Sequence, residues 1–394
     1  MAARNGWEAA VTTFQQRRLG VMAAGFGTFI NLYTTQAILA VLAGAYGVPL
    51  AETGLTVTAP LAAVAIVAPF VGSISDRLGR KRLIVGAGFL LALPTLAIAF
   101  APSFATLIAF RFAQGLLLPF IFAVTIAYIG DEATDAENIS LAGNYSIGTI
   151  LGGFCGRLVA GYTAALIGWR AGFIVLAALT ATAALIVALF LPSERRFRPQ
   201  RGFRAALDGF AAHLVNRRLI ATYAAGFAVL FSIVATFTFV NFLLAAPPYR
   251  LGPAQLSNVF ATYLVSLIST PLATRLAIRF GRRVTLALAA LVGIAGLLLT
   301  LAAPLGWIVA GLSLGVGGMF IEQVMALGFI GAVAARAKST AVGLYVTFYY
   351  IGGSLGGLLP AGIWHAAGWP GCVALVVIVQ LIMLAIALPF WRPL

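Results

Sequence analysis

Three side chains of the charged types Asp, Glu, Lys and Arg stand inside long apolar segments of this sequence. Glu322 is the one acidic residue of ten that lies within such a segment, and Arg111 and Arg157 are the embedded bases. Placing such a group in hydrocarbon costs a few kcal/mol, so it normally faces a cavity and marks a substrate or proton path. Burial favours the neutral form of a carboxylic acid, so Glu322 could load and release a proton near neutral pH. We predict that Glu322 couples proton movement and that the two arginines bind an anionic or polar substrate.

Simpler roles for the same residues remain open. Glu322 could stay protonated and hydrogen-bond another helix, and Arg157 could bond to backbone carbonyls of its glycine-rich segment. Polar and aromatic residues complete the predicted binding site, although aromatic residues at helical spacing more often serve packing. Beside the two arginines, the predicted substrate-binding residues are Asn31, Tyr33, Gln36, Gln114, Asn241, Gln323, Tyr345 and Tyr349.

The composition shows which elements must position these side chains. Hydrophobic residues make up 62% of the 394 residues and charged residues 9%, which is more apolar surface than a soluble protein could bury. Runs of about 20 apolar residues, long enough to cross a bilayer as helix, follow one another along the chain. We predict an all-α membrane protein with twelve transmembrane helices, at approximately 19–41, 53–75, 83–101, 104–127, 141–163, 171–191, 219–243, 256–277, 285–303, 307–329, 340–364 and 371–390.

The formal net charge of +15 has a topological explanation. If both termini are cytoplasmic, 21 of the 25 Lys and Arg residues lie in cytoplasmic loops and ends. We therefore predict a multi-pass protein of the cell inner (plasma) membrane with both termini cytoplasmic, an uncleaved first helix and no nucleic-acid partner. In this orientation Arg111 and Arg157 lie nearer the outer surface and Glu322 lies nearer the cytoplasm, which predicts two separate sites rather than one salt bridge.

The two halves of the chain repeat one pattern. Residues 143–169 align with 343–369, and the identical positions include Gly152, Gly153 and Gly156 with Gly352, Gly353 and Gly356. This duplication predicts two pseudo-symmetric six-helix bundles, residues 1–191 and 219–394, joined by a cytoplasmic linker at 192–218. Two such bundles can rock about a site held between them.

The loop after the second predicted span carries a specific motif. Residues 72–82 read Gly-Ser-Ile-Ser-Asp-Arg-Leu-Gly-Arg-Lys-Arg, which resembles the loop signature of the major facilitator superfamily. Arg111, Gln114 and Gly115 resemble the second signature of that family, and the glycine-rich fifth span resembles the antiporter signature of its twelve-helix drug:proton antiporter branch. This resemblance covers essentially the whole chain and implies the major facilitator fold and proton-coupled efflux.

The same loop is predicted to be a conformational gate, formed by Gly72, Asp76, Arg77, Gly79 and Arg80. The glycines permit tight turns, and Asp76 would be held at the start of span eleven by Lys338 and by exposed N–H groups. The family resemblance implies the same latch, although Asp76 could instead only offset its arginine neighbours. A second contact is predicted between an acidic and a basic cluster, unless the carboxylates are simply solvated; the clusters are Asp131, Glu132, Asp135 and Glu137, and Arg279, Arg282 and Arg283.

Two features depart from the antiporter branch. Asn144 and Thr149 stand where its signature has a glycine and a proline, and the first span has no acid. The leading interpretation is a proton-coupled exporter of small organic molecules that works by alternating access. A proton-coupled importer or uniporter of a small organic anion is the main alternative, and a receptor or assembly factor without transport activity is a third.

Catalytic chemistry has little support in the sequence. His213 and His365 lie far apart, and Cys155 and Cys372 are single residues in apolar segments. We predict no enzyme activity, no catalytic residue, no metal and no cofactor. The expected partners are a small-molecule substrate, protons and the lipid bilayer, and the protein is expected to be a monomer.

Overall fold

The computed structural model describes residues 2–194, 213–333 and 338–391. Side-chain placement is not described for residues 2–13, 73, 76, 135, 136, 331, 338 and 339, so the predicted latch between Asp76 and Lys338 and most of the predicted linker at 192–218 lie outside the described residues. The helices are α1 Ala2–Leu32, α2 Leu39–Tyr46, α3 Leu55–Leu78, α4 Arg80–Ile98, α5 Phe104–Glu132, α6 Asp135–Leu166, α7 Trp169–Phe190, α8 Arg217–Ala245, α9 Pro253–Val259, α10 Ser266–Leu299, α11 Leu305–Val333 and α12 Lys338–Phe390. Three 3-10 turns lie at Thr34–Ile38, Leu50–Gly54 and Phe260–Val265.

The described helices agree with the predicted spans. Nine stretches of the described chain are long and apolar enough to cross a membrane, and the bent pair Phe14–Leu32 and Thr34–Tyr46 gives a tenth. Two of the nine, 47 and 51 residues long, contain a non-helical glycine, Gly281 in α10 and Gly368 in α12. Dividing each of these two stretches at its glycine adds two spans to the ten, which is consistent with the predicted twelve.

Four of the glycines that recur in both halves have a backbone conformation that favours glycine. Gly79 and Gly281 occupy equivalent positions of the two halves, with φ of 89° and 78°. Gly168 and Gly368 form the second equivalent pair, with φ of 95° and 58°. A side chain is strained at these angles, so glycine is the residue that allows the chain to leave one helix and start the next.

The described chain divides into two compact units. Unit 1 contains Met1–Thr35 and Phe70–Gly202, and unit 2 contains Gln36–Pro69 and Phe203–Leu394. Within unit 2, the segment Gln36–Pro69 is held by hydrogen bonds from Gln36 to the Thr238 hydroxyl (3.1 Å) and from Thr58 to the Ser354 carbonyl (3.1 Å). The predicted domains, 1–191 and 219–394, follow the chain duplication rather than these contacts and stay a prediction.

Glycines of the repeated segment let two helices touch backbone to backbone in each unit. In unit 1, three glycines of α6 face carbonyl oxygens of α1, and a Cβ on any of them would collide with its partner. The pairs are Gly148 with Met22, Gly152 with Phe26 and Gly156 with Ile30. In unit 2, Gly352 and Gly356 of α12 meet the carbonyls of Phe227 and Phe231 of α8 in the same way. Small residues spaced by four are typical of close helix contacts in membranes, where packing supplies the main attraction.

This close contact leads to a stability prediction. Replacing Gly152 by alanine should push α6 away from the Phe26 carbonyl and destabilise the protein by about 1–3 kcal/mol, the usual cost of overpacking. Gly143→Ala is the matched control, because Gly143 lies on the same helix and, beyond its own helical neighbours, no atom of the described residues lies within 4 Å of its Cβ position. Thermal unfolding of the purified protein in detergent should show a lower Tm for Gly152→Ala only. Equal Tm values for the two variants would contradict the packing argument.

Candidate functional site

Unit 2 buries a carboxyl group at the centre of its helices. Glu322 of α11 is 0% exposed, and neither of its oxygens makes a hydrogen bond of regular geometry with a described residue. Gly293 of α10 lies against it, since a Cβ there would lie 3.7 Å from Oε1. Gly318, one turn before Glu322, packs on the Ala289 carbonyl and so brings α10 and α11 together. The sequence thus places an acid where two helices are too close for a second large side chain.

Two polar side chains lie beside this carboxyl group, and one of them bonds to a buried hydroxyl group. Gln380 of α12 lies beside Glu322 and donates from Nε2 to the Ser232 hydroxyl of α8 at 3.1 Å. Tyr345 of α12 is also a neighbour of Glu322, and its hydroxyl has no hydrogen-bond partner among the described residues. We refer to Glu322, Gln380, Ser232 and Tyr345 as the Glu322 cluster. Glu322 was predicted to couple protons and Tyr345 to bind substrate, whereas Gln380 and Ser232 were missed, because their only signal was a polar side chain in an apolar helix.

Aromatic rings extend from the Glu322 cluster. Tyr345 stacks on Tyr349 with 5.9 Å between ring centroids, and Gln323 lies beside Tyr349. Two other predicted residues of unit 2 lie on α8 or against it. Asn241 donates to the Phe237 carbonyl of its own helix at 2.6 Å, and Gln36 bonds to Thr238 as stated above. The structure therefore brings Glu322, Gln323, Tyr345 and Tyr349 together around α11 and α12.

In unit 1, Arg111 lies against the end of α1. The side chain is 0% exposed, and its guanidinium donates to the carbonyls of Asn31 (2.8 Å) and Leu32 (2.6 Å) and to Gln114 Oε1 (2.6 Å). Because α1 ends at Leu32, these carbonyls belong to its last turn and carry the negative end of the helix dipole, and the Asn31 carbonyl also accepts from the Thr34 hydroxyl at 3.1 Å. Arg111 thus stabilises the break between α1 and the following 3-10 turn.

A chain of amide and hydroxyl groups continues from Arg111. Gln114 donates to the Thr95 hydroxyl (2.7 Å), Thr95 donates to Asn31 Oδ1 (2.9 Å), and Asn31 donates to Thr180 Oγ1 (2.8 Å). All of these residues are buried. Asn31 and Gln114 were predicted to bind substrate, whereas Thr95 and Thr180 were missed because a threonine in an apolar helix usually bonds to its own backbone.

The second buried arginine of unit 1 meets an aromatic ring. Arg157 of α6 is 2% exposed, donates to the Gly153 carbonyl of its own helix (2.8 Å) and lies 4.9 Å above the ring of Tyr33. Such a cation–π contact stabilises a guanidinium group that has left water. The structure therefore brings together Tyr33 and Arg157, which are both predicted site residues. The bond to Gly153 also agrees with the alternative prediction that Arg157 bonds to backbone carbonyls of its own helix.

At one end of unit 1, Arg80 is the centre of a polar cluster. Its guanidinium bonds to Asp131 (3.0 Å) and to the Ser75 hydroxyl, and Glu194 accepts from the backbone N–H groups of Arg80 (3.0 Å) and Lys81 (3.3 Å). Gly72 and Arg77 of the predicted gate are exposed. Asp131 thus bonds to Arg80 of its own unit, and the predicted contact between the acidic and basic clusters stays a prediction.

The matches to known proteins agree with this architecture. A profile of the Major Facilitator Superfamily matches residues 21–251. The chain belongs to the major facilitator superfamily. It is 31% identical to the MFS-type transporter YybF of Bacillus subtilis, over 94% of this chain and 92% of that protein. It is 31% identical to the inner membrane transport protein YnfM of Escherichia coli, over 95% and 90%.

Solved structures of this family share the fold. A bacterial homologue of the human lysosomal transporter Spinster, in an inward-facing and unoccupied conformation, superposes with a TM-score of 0.77 at 16% identity, over 97% of this chain and 99% of that one. A point mutant of the nucleoside transporter NupG gives a TM-score of 0.76 at 15% identity, over 95% and 100%. The protein is thus an all-α, multi-pass membrane transporter of the major facilitator fold.

The match to a drug exporter is partial. The multi-drug resistance efflux pump PmrA of Streptococcus pneumoniae is 27% identical over 146 residues, which is 37% of this chain and 36% of that protein. The family is therefore shown along the chain, whereas the likeness to the efflux branch is limited to a part of it.

Proposed function

We propose that this transporter exports small organic molecules in exchange for protons, by alternating access. The observation that carries this proposal is Glu322, a fully buried acid without a regular hydrogen bond among the described residues, next to predicted binding-site aromatic rings. A charged carboxylate is costly in such a place, so the group is stable there as a neutral acid and must meet water before it releases a proton. Alternating water access would supply that release on one side and reloading on the other.

The remaining parts of the proposal rest on the sequence and the relatives. The protein would lie in the inner membrane, as its relative YnfM does, with both termini cytoplasmic because Lys and Arg residues concentrate on that side. Its partners would be the substrate, protons and the bilayer, and it would act as a monomer. Tyr345, Tyr349 and Gln323 would contact the substrate near Glu322, and Asn241 and Gln36 would act elsewhere in unit 2.

Import or uniport of a small organic anion is the second candidate. The observation that favours it is the pair of buried guanidinium groups, Arg111 and Arg157, in unit 1. A carboxylate or phosphate group could approach Arg157 beside Tyr33, while Arg111, Gln114 and Asn31 would hold that surface in place. Because NupG is a nucleoside transporter, nucleosides join the compounds worth testing.

Transport in oriented vesicles separates these candidates. Right-side-out and inside-out vesicles would be given tritiated uridine, labelled benzoate or labelled tetraphenylphosphonium, with uptake by vesicles that lack the protein subtracted. Proton antiport predicts that a substrate accumulates in inside-out vesicles whose interior is acidic. Accumulation of benzoate in right-side-out vesicles whose exterior is acidic would support the importer instead, and equilibration that ignores the gradient would support the uniporter.

The predicted gate leads to a kinetic prediction. Asp76→Asn should slow turnover several-fold and leave substrate affinity unchanged, because a latch at a loop acts on the conformational step rather than on the binding site. Initial rates and substrate affinity measured in the same vesicles check this result. Glu52→Asn would serve as control, since Glu52 is an exposed acid at the end of another helical segment. Unchanged turnover in a well-expressed Asp76→Asn protein would remove the latch.

A further inference from the structure

Unit 2 contains a cavity of about 520 Å³ at the end where the loops α8–α9 and α10–α11 lie. One wall is formed by α9 and the 3-10 turn that follows it, and the other wall by the first turns of α11. Each wall is a single helical face, because its lining residues recur every three or four positions. These residues are Gln255, Asn258 and Thr262 on one wall, and Leu305, Val309 and Ser313 on the other.

The two walls meet at the inner end of the cavity. Val265 is a lining residue there, and a Cβ on Gly317 would lie 3.2 Å from its Cγ1 atom. One turn further along α11, the ring of Phe320 lies 6.0 Å from the ring of Tyr263. At the other end Gln255 is exposed. Within unit 2 the cavity is therefore closed at its inner end and open at its rim.

The polar groups of the cavity are all neutral. None of its ten described lining residues is charged. Gln255 accepts from the Gly252 N–H through Oε1 (2.9 Å), so its amide nitrogen keeps its N–H groups as donors. Thr262 and Ser313 donate their hydroxyl hydrogens to carbonyl groups of their own segments (2.8 and 2.9 Å), so their oxygens remain acceptors. The cavity thus offers amide donors near its rim and hydroxyl acceptors deeper inside.

The span that forms one wall is interrupted beside the cavity. At Phe260, α9 gives way to a 3-10 turn that extends to Val265, where α10 follows. A 3-10 stretch inside a long helix often marks a functional position, and transporters bind substrates at discontinuous helices. In this turn Thr262 and Val265 line the cavity, while Phe260 and Tyr263 pack on Phe237 with 5.7 and 4.5 Å between ring centroids. The interruption therefore separates a cavity face from an aromatic face.

We infer that this cavity, the α9–α11 cavity, binds the exported substrate and that the substrate is an uncharged, partly apolar molecule with both a donor and an acceptor, as in a primary amide. Its volume is typical of small-molecule sites, which are mostly apolar with a few placed polar groups. An ion would lose water there without an opposite charge among the lining residues. A lipid acyl chain would leave the amide and hydroxyl groups unmatched.

Only the identity of the ligand as the substrate rests on the proposed function, so the test measures binding itself. Purified full-length protein in phosphatidylcholine nanodiscs would be titrated with three naphthalenes of similar size and different charge: 2-naphthamide, 2-naphthoate and 2-naphthylmethylammonium. Partitioning into empty nanodiscs would be subtracted. Equilibrium dialysis should show saturable binding of 2-naphthamide and binding of the two ions that is weaker by about tenfold or more.

Two variants assign the binding to the α9–α11 cavity. Ser313→Phe fills its inner part and should abolish the binding of 2-naphthamide. Leu314→Phe is the control, because Leu314 is the next residue, is exposed and does not line the cavity. Asn258→Leu removes an amide at an exposed position and should weaken binding by about fivefold, the usual effect of one hydrogen bond. Asn144→Leu is its control, because the Asn144 amide donates to the Ser140 carbonyl of its own helix in unit 1.

The outcomes distinguish the inference from the proposed function. No binding of 2-naphthamide to the wild type, or equal binding by wild type, Ser313→Phe and Asn258→Leu, would overturn the inference and leave proton-coupled export intact. Equal affinity for an ion would overturn the uncharged class, and a co-purified phospholipid that native mass spectrometry detects on the wild type but not on Ser313→Phe would show a lipid in the cavity instead. Binding as expected, without any response of transport to a proton gradient in the vesicle assay, would keep the binding site and remove the proposed function. If Ser313→Phe fails to fold, Asn258→Leu decides alone.

Discussion

Replacement of Glu322 by glutamine is expected to abolish substrate accumulation driven by a proton gradient, while exchange of substrate for substrate continues near the wild-type rate. Glutamine has the size and hydrogen-bonding capacity of the protonated acid but cannot release a proton. The variant should therefore fold, bind and change conformation in the permanently loaded state. Accumulation and counterflow measured in the same proteoliposomes separate the two functions, and the accumulation ratio should fall to about one.

Two controls make this expectation specific to Glu322. Glu52→Gln changes an exposed acid of unit 2 and should accumulate substrate like the wild type. Glu322→Asp keeps a titratable group on a shorter side chain and should retain partial accumulation. If a well-expressed Glu322→Gln protein accumulates substrate at the wild-type rate, coupling must come from loop acids or from protonation of the substrate itself.

The helices were predictable because the bilayer acts on each segment separately. Length and hydropathy determine whether a run of residues crosses hydrocarbon, so α5 and α7 could be predicted without any knowledge of their neighbours. The glycine repeats were visible as well, and the structure gives their two causes: positive φ at Gly79 and Gly281, and close backbone contact at Gly152 and Gly352.

The partners of the buried charges could not be predicted in the same way. Glu322, Arg111 and Arg157 stood out because charge is rare in apolar segments, but a sequence does not show which side chains of other helices face them. Gln380 lies 58 positions from Glu322, and Thr95 lies 64 positions from Asn31. The functional roles assigned to all these residues stay predictions, which the variants described above test.

Replacement of Arg111 by methionine is expected to lower the stability of the protein strongly and to abolish transport as a consequence. The change would remove the guanidinium donor from the Leu32 carbonyl and from Gln114 Oε1, and would leave the Asn31 carbonyl with the Thr34 hydroxyl as its donor. Each unsatisfied buried acceptor costs about 1–3 kcal/mol, and the end of α1 also loses the positive charge that opposes its dipole. Thermal unfolding in detergent should show a Tm decrease larger than that of Gly152→Ala.

Two further arginine variants serve as controls: one changes the type of side chain at position 111, and the other removes an exposed arginine elsewhere. Arg111→Lys keeps the charge but replaces a planar fork with a compact ammonium group, so it should recover part of the lost Tm and not all of it. Arg170→Met removes another arginine that donates to a backbone carbonyl, that of Ala101 at 3.4 Å, but at an exposed position, and should leave the Tm nearly unchanged. The opposite result would be a wild-type Tm for Arg111→Met together with lost affinity for benzoate. It would show that Arg111 binds the anion directly, because a group needed only by the substrate contributes nothing to the stability of the free protein.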